Sequence, residues 1–177
     1  MEPRNGRFRI ALFALAGIAS LAFATLAGAG EIQRVSLIGP RSTFFEVAAG
    51  SAVSLAQERL SSSRCRQIFS DFRDSSGRTL QSKLDFQGYD GPGFLDILRF
   101  ANGERFGRCQ QSRTLAETAP NSHVILLCGE RFSQAQRQDP EYAAALVIHE
   151  LLHSLGLGEN PPSSNDITAR VLERCGR

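Results

Sequence analysis

The sequence predicts a single α+β domain, in which helices pack around a short antiparallel or mixed sheet. Three observations carry this prediction. Apolar residues recur at helical spacing over 44–60, which indicates an N-terminal amphipathic helix with its apolar stripe in the core. The short branched and apolar run at 123–128 has the length and composition of a buried strand. A longer apolar stretch at 140–155 lies between a helix start signal and a glycine stop, and a C-terminal helix is expected at 166–175.

The first 29 residues are predicted to be a secretory signal peptide. A basic segment precedes an uncharged apolar run at 10–26, and Ala27-Gly28-Ala29 forms an A-x-A cleavage site. The apolar run is close to the lower limit of the roughly 17–25 residues that span a membrane, and the small residues at its end favour cleavage over an uncleaved anchor. We therefore expect a secreted or periplasmic protein with a mature domain at 30–177 and no stable membrane anchor.

The basic charge of the chain belongs to this leader. Removing Arg4, Arg7, Arg9 and Glu2 lowers the number of Lys and Arg from 20 to 17 and that of Asp and Glu from 18 to 17. The net charge thereby changes from +2 to 0. A neutral domain lacks the basic surface that nucleic-acid binding requires, so we expect no nucleic-acid partner. The length predicts one ordinary domain, and we expect a monomer.

Four cysteines remain in the mature chain, namely Cys65, Cys109, Cys128 and Cys175. An even number of cysteines in an exported chain predicts two disulfides. Of the three connectivities we favour Cys65–Cys109 with Cys128–Cys175, because the second bond would tie the C-terminal helix to the strongest strand. A cysteine metal site is disfavoured, since the sequence contains no CxxC pair.

The elements of the N-terminal half follow from local signals. Thr43 and Glu46 form a T-x-x-E capping box before the helix at 44–60. Leucines one turn apart predict a short helix at 78–86. The Tyr-Asp-Gly-Pro-Gly segment at 89–93 is expected to be a loop.

The middle of the chain is predicted to be rich in strands. Residues 97–109 are expected to form a hairpin, because Asn-Gly at 102–103 is a type I′ turn signal. A third strand is expected at 113–118, before the strand at 123–128. A short helix at 131–138 completes this region.

The helix that follows has well-defined ends. Asp139 can cap the free N–H groups, and Pro140 suits the first helical position. Gly156 is the expected C-terminal stop. Ser163 or Ser164 is expected to cap the last helix.

The sequence of this helix contains His149-Glu150-Leu151-Leu152-His153, an HExxH pattern. Two histidines four residues apart project from the same helix face, so two imidazoles can reach one metal ion. Glu150 follows the first histidine directly, and its carboxylate can approach a metal-bound water. Two imidazoles with one carboxylate leave a fourth position for water, which is the arrangement of a catalytic zinc.

The stretch from His149 to Glu159 resembles the metzincin-type zincin pattern HExxHxxGxxH/D. His149, Glu150, His153 and Gly156 match it position for position, and Glu159 occupies the third-ligand position in place of the usual His or Asp. The resemblance implies a small zincin-like fold and a secreted, bacterial-type zinc metallopeptidase. It also implies that His149, His153 and Glu159 bind Zn²⁺ and that Glu150 is the general base in hydrolysis of a peptide or protein substrate.

Two features depart from the metzincin pattern. The only methionine is Met1, so a methionine turn is not expected in the domain, and only 18 residues follow Glu159. These departures leave open an alternative function, a non-catalytic exported zinc-binding or protein-interaction domain on the same scaffold. Glu173 is a rival third ligand of the gluzincin type, since it lies on a later helix. Asp166 is a weaker candidate, because it lies where a capping carboxylate is expected.

Two further side chains near the motif are not assigned to the site. His123 is expected at a strand edge on the surface, and Tyr142 is expected in the core. A substrate peptide is expected to lie extended along an edge strand, either 124–127 or its neighbour.

Overall fold

The computed structural model describes residues 37–38 and 43–176. The signal peptide predicted at 1–29 lies outside the described residues. The described residues contain eight α-helices: α1 Thr43–Leu60, α2 Ser63–Arg66, α3 Ile68–Asp71, α4 Leu80–Gln87, α5 Gly91–Ile97, α6 Gly129–Gln138, α7 Pro140–Ser154 and α8 Ser164–Cys175. They also contain four short strands and a 3₁₀-helix: β1 Leu37–Ile38, β2 Arg99–Asn102, β3 Ala116–Glu117, β4 Val124–Leu127 and the 3₁₀-helix Gly107–Gln110. The predicted α+β class is confirmed.

The four strands form one mixed sheet in the order β1-β2-β4-β3. β2 lies parallel to both β1 and β4, whereas β3 pairs antiparallel with β4. Among the described residues β3 is therefore an outer strand with one edge unpaired, and β4 is an inner strand. The prediction of a strand at 123–128 is confirmed by β4, and the strand expected at 113–118 is reduced to the two residues of β3.

The predicted hairpin at 97–109 is wrong, because both strands that pair with β2 among the described residues are parallel to it. The Asn102 side chain accepts a hydrogen bond from the Glu104 N–H at 3.0 Å, which is the local turn that asparagine forms with its own backbone. The Gly103 N–H then donates to the Leu127 carbonyl at 2.8 Å and extends the pairing with β4. The chain continues into the 3₁₀-helix instead of returning as a strand.

Helix α7 lies in the middle of the molecule, packed against α1, α6 and α8. Every residue from Ala143 to Ser154 is buried, so α7 exposes little of its surface along this length. The predicted helix at 44–60 is confirmed as α1, whose buried face is rich in alanine. Small side chains on α1 allow its backbone to approach α7 closely, and this contact holds the HExxH helix firmly in the core.

The loop expected at 89–93 is wrong, since this segment begins α5. Asp90 caps the helix, with its carboxylate accepting from the Gly93 N–H at 2.8 Å, and Pro92 lies in the first turn. Proline is tolerated there because the first N–H groups of a helix have no partner within the helix. The short helices predicted at 78–86 and 131–138 are confirmed as α4 and α6 with shifted ends.

The two predicted disulfides are confirmed, but the favoured pairing is wrong. The bonds are Cys65–Cys175 and Cys109–Cys128. α2 packs against α8 and brings the Cα atoms of Cys65 and Cys175 to 4.4 Å. The 3₁₀-helix lies beside the end of β4, with Cα atoms of Cys109 and Cys128 5.1 Å apart. Two disulfides fit an exported protein, and among the described residues no helix is long and apolar enough to cross a membrane.

The predicted ends of α7 are confirmed. The Asp139 carboxylate accepts from the Tyr142 N–H at 3.0 Å. At the other end Gly156 has φ +99°, a conformation that strains any residue with a Cβ. Its N–H donates to the His153 carbonyl at 2.7 Å, while the N–H of Leu157 donates to the Leu152 carbonyl at 3.0 Å. This is the paired hydrogen bonding of a Schellman motif, and it reverses the chain immediately beyond the second histidine.

Candidate metal centre

The structure brings His149, His153 and Glu159 together at the C-terminal end of α7. The two Nε2 atoms are 3.0 Å apart. Glu159 Oε1 lies 3.5 Å from Nε2 of His153 and 3.8 Å from Nε2 of His149. A tetrahedral zinc with bonds of about 2.0–2.1 Å separates its ligand atoms by about 3.3 Å. The observed distances lie around that value, so one ion of this size fits the three side chains.

The other ring nitrogens of the histidines have partners that set the tautomers. His153 Nδ1 donates to the Leu157 carbonyl at 2.8 Å. A carbonyl can only accept, so the Nε2 lone pair of a neutral His153 is available for a metal. His149 Nδ1 is 2.9 Å from the Thr168 hydroxyl, which can accept the Nδ1 proton and free Nε2 in the same way. Partners of this kind orient metal-binding histidines in general.

The environment also keeps His149 uncharged. The pKa of His149 is lowered to about 4, chiefly by burial and also by the neighbouring His153, while Glu159 opposes both effects. The imidazole is therefore neutral near pH 7, the state in which its lone pair can bind a metal.

Replacing Thr168 by valine is expected to weaken zinc binding by about 10–100-fold, because the hydroxyl that orients His149 is lost while the side-chain volume is kept. The zinc dissociation constant can be measured by competition with a chromophoric chelator. Thr114→Val, a matched change elsewhere in the same cleft, should leave it unchanged. Equal zinc affinity in wild type and Thr168→Val would show that Thr168 does not orient His149.

Glu150 points into the same region but has a different environment. Its side chain is buried, and neither Glu150 Oε2 nor the nearby Thr118 hydroxyl has a hydrogen-bond partner of ordinary geometry. The pKa of Glu150 is raised to about 8, chiefly by burial and further by the charges of Glu159 and Glu117, while a contact with the Thr118 hydroxyl and the charge of Arg108 oppose the rise. A buried carboxyl oxygen without a partner is rare in a folded protein, and a perturbed carboxyl in a cleft marks a candidate functional group.

One open cleft of about 890 Å³ is lined by the side chains of His149, Glu150, His153 and Glu159. One wall is the segment at 113–120, which includes β3, and another is formed by α7 and the start of α8. Alternate residues of β4 face opposite sides, so Val124 and Leu126 line the cleft while Ile125 and Leu127 are buried in the core. The cleft therefore combines a polar centre with an apolar wall beside an unpaired strand edge.

The rival ligands lie elsewhere. The Glu173 carboxylate is exposed and accepts a hydrogen bond from Arg170 at 2.7 Å. The Asp166 carboxylate accepts from Ser163 in the capping box of α8, which confirms the predicted cap at Ser163. Of the three carboxylates considered as third ligand, Glu159 is the one that the structure places beside both histidines.

Two side chains that were not assigned to the site from the sequence are His123 and Tyr142, and the predicted position is confirmed for only one of them. His123 is exposed, as expected, and packs edge-to-face on Phe94 with ring centroids 5.7 Å apart. Tyr142 is half-buried and lines the cleft, so its expected core position is wrong. The sequence pattern also missed Thr168 and Arg108, since no motif or fixed spacing links either residue to the histidines.

No protein-family model, curated protein or solved structure matches the chain. The functional interpretation therefore rests on the residues of the cleft and on their geometry.

Proposed function

We propose that the protein is an exported zinc-dependent metallopeptidase with a small zincin-like fold. In this proposal His149, His153 and Glu159 bind the zinc, and Glu150 is the general base. The observation that carries the proposal is the convergence of three ligand atoms at the spacing of a tetrahedral zinc site. They converge in an open cleft beside the buried Glu150, whose Oε2 has no hydrogen-bond partner of ordinary geometry among the described residues.

The residues of the site suit hydrolysis without a covalent intermediate. A bound zinc would supply Lewis acidity to the scissile carbonyl and lower the pKa of water. Glu150 takes a proton from the attacking water as the water oxygen bonds to the carbonyl carbon. It then passes that proton to the leaving amine as the C–N bond breaks. The charge of a bound zinc would favour the carboxylate form of Glu150, which the first of these transfers needs.

The position of β3 suits an extended peptide substrate. Its inner edge pairs with β4, its outer edge is unpaired among the described residues, and both of its residues line the cleft. Backbone N–H and C=O groups on that outer edge can pair with a peptide in the manner of an added strand. Of the two strands considered from the sequence, β3 fits this role, because both edges of β4 are already paired. The apolar wall at Val124, Leu126 and Leu146 favours substrates with apolar side chains.

The proposal predicts one zinc per chain and cleavage of peptides that a chelator abolishes and added zinc restores. Zinc content of the purified protein can be measured by elemental analysis, and cleavage can be followed by mass spectrometry of a peptide library. Zinc without cleavage would favour the alternative function, an exported zinc-binding or protein-interaction domain. A chain that takes up no metal would contradict both the zinc peptidase and the zinc-binding domain.

A further inference from the structure

The proposed ligand Glu159 has a second partner on the other side of the cleft. Arg108 Nη1 lies 3.4 Å from Glu159 Oε2, whereas Oε1 faces the two histidines at 3.5 and 3.8 Å. The two oxygens of one carboxylate thus have separate surroundings. We infer that Arg108 is a positioning residue, which holds Glu159 so that it binds the metal through one oxygen. This inference rests on the metal site of the proposed function.

Glu159 needs such a partner because its own segment has little regular structure. The residue follows the Schellman turn of α7 and precedes α8, and its side chain is 21% exposed. A free glutamate side chain samples several rotamers, and ordering it for metal binding costs conformational entropy. An arginine is charged at all relevant pH values, so it can restrict the carboxylate before a metal arrives.

Arg108 is itself carried by a segment that is fixed without help from Glu159. The 3₁₀-helix that contains it is joined to the end of β4 by the Cys109–Cys128 disulfide. The Arg108 N–H donates to the Glu117 carboxylate at 2.9 Å, and Arg131 donates to the Cys109 carbonyl. The backbone at position 108 is therefore tied to the strand edge, to β4 and to α6.

Gly107 shows how closely this segment approaches the strand edge. It has φ +48°, and a Cβ at this position would lie 2.0 Å from Glu117 Oε1. Only glycine fits such a position without displacing the carboxylate that holds the next N–H. The Arg108 side chain is 65% exposed and reaches from this fixed base across the cleft to Glu159, which is 51 positions later in the chain.

An experiment can separate two opposite effects of Arg108 on metal binding. If Arg108 orients the carboxylate, its removal weakens metal binding. Loss of a residue that hydrogen-bonds to a metal ligand typically lowers metal affinity by about 10–100-fold. If Arg108 competes with the metal for the carboxylate, its removal strengthens binding. The separate roles of Oε1 and Oε2 favour the first consequence, because the oxygen bound by Arg108 is the one that faces away from the histidines.

The test is the zinc dissociation constant of the full chain, measured by chelator competition for wild type, Arg108→Ala, Arg108→Lys and Arg113→Ala. We expect Arg108→Ala to weaken zinc binding by at least about tenfold, and Arg108→Lys to recover part of the loss. Arg113→Ala removes another exposed arginine of the same cleft and should match wild type. In a Glu159→Ala background, Arg108→Ala should have no further effect, since the group through which it acts is gone.

Three results would overturn the inference. Equal or tighter zinc binding by Arg108→Ala would exclude the positioning role, and so would a full Arg108 effect in the Glu159→Ala background. The third result combines two measurements. If metal-free Arg108→Ala is less stable than wild type in urea denaturation, and if Arg108→Lys recovers none of the zinc affinity, the effect is one on folding. Failure of the proposed function can be distinguished from failure of this inference. Zinc binding without peptide cleavage would contradict the peptidase activity but not the role of Arg108. A wild-type chain that binds no zinc would contradict both.

Discussion

Glu150→Gln is expected to lower kcat for peptide hydrolysis by about 10²–10⁴-fold while one zinc per chain is retained. Glutamine keeps the shape of the side chain and tolerates the burial, but it cannot accept the proton of the attacking water. Glu150 is not one of the three converging ligands, so the metal should stay. Steady-state kinetics on a cleaved peptide and zinc analysis of the same sample measure the two effects separately.

Glu173→Gln is the matched control for this variant. It makes the same chemical change on α8, at an exposed carboxylate that pairs with Arg170, and we expect wild-type activity and zinc content. Loss of zinc in Glu173→Gln would show that Glu173 is a ligand and that the assignment of Glu159 is wrong. Cleavage by Glu150→Gln at the wild-type rate would rule out its role as general base.

The parts of the fold that could be predicted from the sequence are those set by neighbours in the chain. Asp139 and Gly156 mark the ends of α7 through hydrogen bonds that span only a few residues. The spacing of His149 and His153 fixes their common helix face whatever the rest of the fold does. The class of the fold and the existence of the histidine pair therefore followed from local pattern alone.

The errors concern contacts between distant parts of the chain. Asn-Gly at 102–103 indicates a hairpin from local sequence, but β2 pairs with the parallel strands β1 and β4. Parallel strands need long connections, which a turn signal does not predict. The pairing of Cys65 with Cys175 depends on the packing of α2 against α8. Disulfide connectivity cannot be deduced from cysteine spacing, so it required the structure.

The candidate site shows the same division. The spacing from Gly156 favours Glu159 over Glu173 as third ligand, and the reversal of the chain at Gly156 gives that spacing a physical basis. Thr168 and Arg108 were not found, because each reaches the site through its side chain from an element whose position depends on tertiary packing. The proposed metal ligands can be recognised by motif, whereas side chains that contact these ligands from distant elements follow no sequence pattern.

The double variant Cys65→Ser/Cys175→Ser is expected to lower the free energy of unfolding by about 5 kcal/mol, against about 3 kcal/mol for Cys109→Ser/Cys128→Ser. The difference follows from loop length, since the first bond joins residues 110 apart and the second joins residues 19 apart. The longer the loop that a disulfide closes, the more it restricts the unfolded chain. Urea denaturation of both metal-free variants under non-reducing conditions measures the two losses.

The Cys65–Cys175 disulfide is also expected to affect the candidate metal centre. Cys175 ends α8, the helix that presents Thr168 to His149, and the bond fastens that helix to α2. Salt bridges from Asp71 to Arg174 and Arg170 also join this helix to the N-terminal region, but exposed ion pairs contribute only about 0–1 kcal/mol each. Cys65→Ser/Cys175→Ser should therefore weaken zinc binding as well as stability, through the loosened position of α8. A loss of stability no greater than that of Cys109→Ser/Cys128→Ser would show that packing of α2 on α8, and not the disulfide, fixes this end of the cleft.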